Sequence, residues 1–166
     1  MTDEILKRVF QKGPGKSLKV VDLFSGCGGI SLGFKLAGFE IKGMVDFDDD
    51  SLLTAKKNNI SKNILNIDLH KKDWMDELFH HIPPNEIDIV VGGPPCQGFS
   101  LTGPRNFDDK RNMLYKALFD LVKETKPKAF LIENVKGMAT LYKGLIKKEI
   151  IDKFSDIGYL VNAKIL

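Results

Sequence analysis

The chain has 166 residues, enough for one hydrophobic core and too few for two. At 43% hydrophobic and 28% charged it is composed like an ordinary globular domain, which excludes a disordered, collagen-like or coiled-coil chain. Its formal charge of +3 is uneven, −2 over residues 1–100 and +5 over 101–166, a mild pull toward polyanions that falls short of a dedicated nucleic-acid binder.

The first residues, Met1-Thr2-Asp3-Glu4, open on acids and lack the basic-then-apolar order of a signal peptide. No apolar run can span a bilayer, so a cytoplasmic protein without membrane attachment is expected. Gly13-Pro14-Gly15 breaks any helix before the first strand, and residues 1–17 read as peripheral to a single domain over 18–166. Short apolar runs then predict buried strands at Leu18–Phe24, Ile41–Val45, Ile64–Ile67, Ile87–Val91, Ala129–Ile132 and Leu160–Leu166. Amphipathic stretches lie between them. Ile30, Phe34 and Leu36-Ala37 fit one helical face, Leu52-Leu53 to Ala55 begins a second, and Trp74 to Phe79 sits on a third. Leu114, Leu118, Leu121 and Val122 form a stripe at i, i+4, i+7 and i+8, and Leu145, Ile146, Ile150-Ile151 and Phe154 form another. Such alternation predicts an α/β fold, a doubly wound and mostly parallel sheet covered on both faces. Ligands in such folds bind at the carboxyl edge of the strands, so the residues after each strand are the ones to read.

Asp22-Leu23-Phe24-Ser25-Gly26-Cys27-Gly28-Gly29 follows the first strand and opens a helix. Glycines there allow a tight turn and close approach of a ligand, although alone they read equally well as a plain strand-to-helix turn. Asp46 lies twenty residues past Gly26, a spacing at which an acid can accept hydrogen bonds from ribose hydroxyls. A dinucleotide fingerprint would need a third glycine where Ser31 stands. Gly15-Lys16-Ser17 is no phosphate loop, because its first glycine would fall on Phe10 and it precedes a strand. A nucleoside cofactor without an essential pyrophosphate fits better.

Gly92-Gly93-Pro94-Pro95-Cys96-Gln97-Gly98-Phe99-Ser100 follows the fourth strand. Two prolines stiffen the approach to one thiol, which suits a nucleophile better than a small buried hydrophobe. The fifth strand ends in Ile132-Glu133-Asn134-Val135, where an acid suits a proton donor in a closed site or simply a surface strand end. Cys27 and Cys96 are the only cysteines and make neither a disulfide framework nor a zinc site. The neighbouring imidazoles of His80-His81 diverge on a helix, so no metal is expected. Only Arg8, Arg105 and Arg111 are arginine among 25 basic residues, which suits phosphate contact better than base reading.

Together these segments resemble the N-terminal catalytic part of the C5-cytosine DNA methyltransferases of restriction–modification systems. Asp22–Gly29 is similar to their cofactor loop, Pro94–Ser100 to their nucleophile loop, Glu133–Val135 to their acid motif and Asp108–Leu114 to the start of their next core helix. The resemblance implies that the Cys96 thiolate adds to C6 of a flipped cytosine while Glu133 hydrogen-bonds or protonates N3. Methyl transfer from S-adenosylmethionine to C5, leaving S-adenosylhomocysteine, would follow. It puts the cofactor along Phe24, Ser25, Gly26, Cys27, Gly28 and Gly29, with Asp46 on the ribose, Phe47 against the adenine, Asp68 at its amino group and Leu69 beside the ring. Gly93, Pro95 and Leu114 would lie nearby, and Gln97, Ser100, Thr102 and Arg105 would meet double-stranded DNA. Two residues depart from the family pattern: Asp46 is usually glutamate and Phe47 commonly tryptophan. The family continues into a Gln-x-Arg-x-Arg motif, a target-recognition domain and a final strand and helix, all beyond residue 166. The chain is therefore expected to be an incomplete catalytic domain, inactive alone, with a C-terminal region or second chain supplying recognition. Methylation of tRNA and a non-catalytic cofactor-binding module are the alternatives. A zinc deaminase is excluded because Phe99 stands where its second cysteine would be.

Overall fold

The structure, a computed structural model, describes residues 17–95, 114–136 and 144–165. Among the described residues five strands alternate with five α-helices: β1 (Lys19–Leu23), α1 (Gly29–Leu36), β2 (Glu40–Asp46), α2 (Asp49–Lys57), β3 (Ile64–Asn66), α3 (Trp74–His81), β4 (Ile89–Gly92), α4 (Leu114–Thr125), β5 (Ala129–Ile132) and α5 (Leu145–Asp156). A 3-10 turn, Pro84–Glu86, precedes β4.

All four strand pairings are parallel, in the order β3-β2-β1-β4-β5. The chain winds outward from β1 to β3, then returns to β4 and β5 on the other side. Its switch point lies between β1 and β4, which pair Leu23 with Gly92 at their carboxyl ends. The α/β, doubly wound reading is borne out.

Val20, Val21, Val90 and Val91 are fully buried because β1 and β4 carry helices on both faces. One face packs against Trp74 and Leu78 of α3, Leu118 and Leu121 of α4, and Ile146, Ile150 and Phe154 of α5. The stripe predicted for α4 is buried at every position, Leu114, Leu118, Leu121 and Val122. Phe154 stacks on Phe130 of β5 at 4.1 Å and meets Phe119 edge-on at 5.2 Å, which joins α4, α5 and β5. The other face is smaller. Val20, Met44, Ile89 and Val91 meet Ala55 of α2, with Ile30 and Phe34 of α1 packed against them.

Two expectations fail. Leu36 is 70% exposed and off the buried face of α1, because six residues after Ile30 it lies about 120° round the helix from it. Residues 160–165 pair with no strand among the described residues, and Leu160 is 93% exposed. An apolar run becomes a strand only when a neighbouring edge is within hydrogen-bonding reach. Here Tyr159 turns into the start of β5 instead, donating its hydroxyl to the Pro127 carbonyl at 2.6 Å. Other boundaries shift by one or two residues, chiefly where Phe24, at φ +59°, turns out of β1 into the following loop.

Candidate active site at the carboxyl edge of the sheet

Because every pairing is parallel, all five strands deliver their following residues to one edge. The loop after β1 rises from Leu23 through Phe24 and Gly26, both with left-handed backbones, to Gly28 at φ +94°. The left-handed backbone calls for glycine there, and a Cβ would also push on the side-chain ends of Ile60, at 2.5 Å from Cδ1, and Met44, at 2.7 Å from Cε. The loop is tied down by backbone bonds from Ser25 N–H to Val45 and from Gly28 N–H to Ser25. α1 then starts at Gly29, and Cys27 stands exposed at the tip.

Asp46, at the end of β2, reaches across to this loop. Its Oδ2 accepts from Gly26 N–H at 2.7 Å, and its Oδ1 accepts from the N–H groups of Phe47 and Asp48. The carboxylate read from its spacing does face the glycine loop, and it fastens the loop. Phe47 follows with its ring 66% exposed on the same edge. From β3 the chain continues through Ile67, whose N–H donates to the Asp46 carbonyl, into half-buried Asp68 and buried Leu69.

Below the glycine loop lies a pair the sequence did not reveal. Asp22 is fully buried, and its Oδ2 accepts from the equally buried Ser31 hydroxyl at 2.6 Å. Its Oδ1 and the buried Ser25 hydroxyl have no protein partner among the described residues. Burial raises the Asp22 carboxyl to about 6, with Ser31 opposing and the Asp46 charge adding a little. Ser31 had counted only as the residue that breaks a dinucleotide fingerprint. Its real signal was the separation of nine residues from Asp22, which spans one strand end, one loop and the first turn of a helix.

At the other side of the switch point, the chain ends after β4 and β5 adjoin. Glu133 N–H donates to the Gly92 carbonyl, and Asn134 Nδ2 donates to the Pro94 carbonyl at 2.8 Å. Gly93 leaves room for the acid, since a Cβ there would lie 3.2 Å from Glu133 Oε2. Glu133 itself is exposed at the end of β5. Pro95 is exposed and Leu114, at the start of α4, is buried. Cys96, Gln97, Ser100, Thr102 and Arg105 lie outside the described residues, as do residues 1–16 and the segment 108–113. Among the described residues no group of three or more His, Cys, Asp or Glu side chains could hold a metal, and no helix is long and apolar enough to cross a membrane.

This edge has recognisable counterparts. The family model for C-5 cytosine-specific DNA methylases matches residues 18–166. The type II methyltransferase M1.HphI of Haemophilus parahaemolyticus is 42% identical over 153 residues, covering 90% of this chain and 41% of that protein. M.AgeI of Thalassovita gelatinovora is 39% identical, covering 86% and 33%. Among solved structures, an E. coli prophage protein described as a DNA modification methyltransferase superposes with a TM-score of 0.67 at 37% identity, over 84% of this chain and 38% of its own. A Spodoptera frugiperda DNMT2 variant gives 0.63 at 25% identity, over 87% and 42%. The chain thus spans less than half the length of each of these relatives. With a matched family model over residues 18–166 and the parallel sheet of an S-adenosylmethionine-dependent methyltransferase, the chain belongs to the C-5 cytosine-specific DNA methylase family.

Proposed function

We propose that this chain is the cofactor-binding catalytic part of a DNA (cytosine-5) methyltransferase of restriction–modification type, acting in the cytoplasm on double-stranded DNA. Residues 18–166 are that part, 1–17 are peripheral, and target recognition is supplied by further polypeptide. The length comparison supports this division, since the chain spans 33–41% of the two curated relatives described above.

The observation that carries the cofactor reading is the buried Asp22–Ser25 floor. A buried carboxylate with an unused oxygen favours a cation, and the unpartnered hydroxyl beside it wants a polar ligand. S-adenosylmethionine carries two positive centres, its sulfonium and its ammonium, and would supply an electrophilic methyl group. Phe24, Ser25, Gly26, Cys27, Gly28 and Gly29 would line it, with Asp46 and Phe47 at the ribose and adenine. Asp68, Leu69, Gly93, Pro95 and Leu114 would complete the site.

On the substrate side, the Cys96 thiolate adds to C6 of a flipped cytosine. Glu133 hydrogen-bonds or protonates N3, so that charge entering the ring is stabilised. C5 becomes nucleophilic and takes the methyl group. Loss of the C5 proton then re-forms the C5–C6 double bond and expels the thiolate. The Asn134–Pro94 bond and the bare Gly93 support this pairing, because they join the acid's strand end to the one leading into Cys96. Gln97, Ser100, Thr102 and Arg105 would contact DNA. The relatives M1.HphI and M.AgeI are type II methyltransferases, which favours DNA over RNA as substrate.

Calorimetry with S-adenosylmethionine tests the first half, with saturable binding expected and no heat at millimolar ligand overturning it. Tritium transfer to duplex DNA tests the second. The chain alone is expected to be inactive. Complementation with the recognition part should restore transfer, and Cys96→Ala should abolish it without loss of cofactor binding.

A further inference from the structure

Two acids stand at neighbouring strand ends, and they are held differently. Asp46 has both oxygens engaged by backbone N–H groups. Asp68 has one oxygen engaged and one free. Its Oδ1 accepts from the His70 backbone N–H at 3.0 Å and faces the His70 ring Nδ1 at 2.9 Å. The turn is closed by Lys71 N–H on the Asp68 carbonyl at 3.1 Å. Asp68 Oδ2 has no protein partner among the described residues.

The short contact fixes the imidazole tautomer. A neutral ring with its proton on Nε2 would set a lone pair against the carboxylate, so the proton sits on Nδ1 and donates. The backbone N–H first, and the ring second, hold the Asp68 carboxyl below the usual carboxylate range, with Lys71 adding a weaker attraction. Two donors on one oxygen select a single rotamer of an otherwise half-exposed side chain. The remaining oxygen can only accept.

We propose that His70 is a positioning residue that pins Asp68 so that its free Oδ2 selects an amino-bearing purine over a keto-bearing one. This rests on the reading of this edge as the cofactor site. An adenine amino group donates to such an oxygen. A hypoxanthine carbonyl in the same place sets two acceptors against each other, and a site built for a hydrogen bond rejects strongly the analogue that cannot make it.

The test is calorimetry of the full chain with S-adenosylhomocysteine and with its inosine counterpart. Wild type should prefer the adenosyl ligand. His70→Ala leaves the backbone bond in place and should weaken adenosyl binding about three- to tenfold, with little change for the inosyl ligand. His70→Asn, whose Nδ2 lies near the position of Nδ1, should restore the preference. Asp68→Ala should remove it entirely. Equal weakening of both ligands in His70→Ala would mean general loosening and overturn the proposal, and so would wild-type binding of both. If Asp68→Ala removes the preference while His70→Ala does not, only the role of His70 fails. If Asp68→Ala keeps the preference, the placement of the adenine fails with it.

Discussion

Asp22 shows how a single residue is read differently before and after folding. In the sequence it is one acid inside an apolar run. In the fold it is a fully buried carboxyl whose value stands at about 6 against 3.8 unfolded. The folded state therefore binds a proton more readily between those values, and stability falls as pH rises through that window. The penalty is absent below 3.8 and complete above 6, with an upper bound of roughly 3 kcal/mol at 1.36 kcal/mol per unit. Asp22→Asn removes the titration but leaves an amide with fewer partners than it wants. It should therefore stabilise the chain at pH 7.5 by about 1–2 kcal/mol, with the gain vanishing by pH 4, as thermal melts across that range would show. The same variant should bind S-adenosylmethionine at least tenfold more weakly. A more stable protein that has lost its ligand is the mark of a residue kept for function. Asp46 was legible from its spacing because loop length alone brings it to Gly26. The partners of Asp22 and Asp68 were not, because a free lone pair leaves no trace in the sequence.

At the scale of elements, α4 was legible in full, since its apolar stripe is long enough to define a face. The short α1 was legible only in part, since Ile30 and Phe34 share its buried face while Leu36 falls off it by the helical period. Residues 160–165 carry a strand's composition without a strand's neighbour, and strand pairing is a property of two segments. The glycines divide the same way, because their sequence context does not say which are crowded. A Cβ on Gly92 would lie 2.6 Å from the Leu23 carbonyl oxygen and 3.0 Å from Leu118 Cδ1. The oxygen belongs to the neighbouring strand and cannot swing away. A Cβ on Gly29, at the start of α1, meets nothing within 4 Å. Gly92→Ala should thus cost about 1–3 kcal/mol, and Gly29→Ala should be neutral or slightly stabilising. Denaturant unfolding of the two variants would check the contrast; equal effects would mean that β1 and β4 approach each other less closely than described.

Across the whole molecule the two edges of the sheet do opposite work. The carboxyl edge gathers bare backbone, a buried acid with an unused oxygen and exposed Phe47, all unfavourable to the isolated fold. The amino edge is stitched by charge. Lys19 and Lys42 both pair with Glu86, at 3.0 and 2.6 Å, and Asp88 accepts from Lys19 N–H while pairing with Lys128. This ladder links the starts of β1, β2, β4 and β5. Lys42 first, then Lys19, hold the Glu86 carboxyl down to about 2 from 4.5. An acid lowered on folding adds stability that is complete above 4.5 and disappears as pH falls toward 2, the reverse of Asp22. Because the Glu86 carboxylate is still partly open to water, its contribution should be modest and screened by salt. Glu86→Gln is therefore expected to lower Tm slightly at neutral pH and low salt. The deficit should shrink in molar salt and close below pH 3, while S-adenosylmethionine binding stays at the wild-type level. In wild type, acidification from pH 6 should first relieve Asp22 and only then, below about 4.5, begin to undo the amino edge. Paired melts of Asp22→Asn and Glu86→Gln against pH would separate the two halves of that profile. A Glu86→Gln variant that loses ligand affinity would show instead that the amino edge is coupled to the site through the strands.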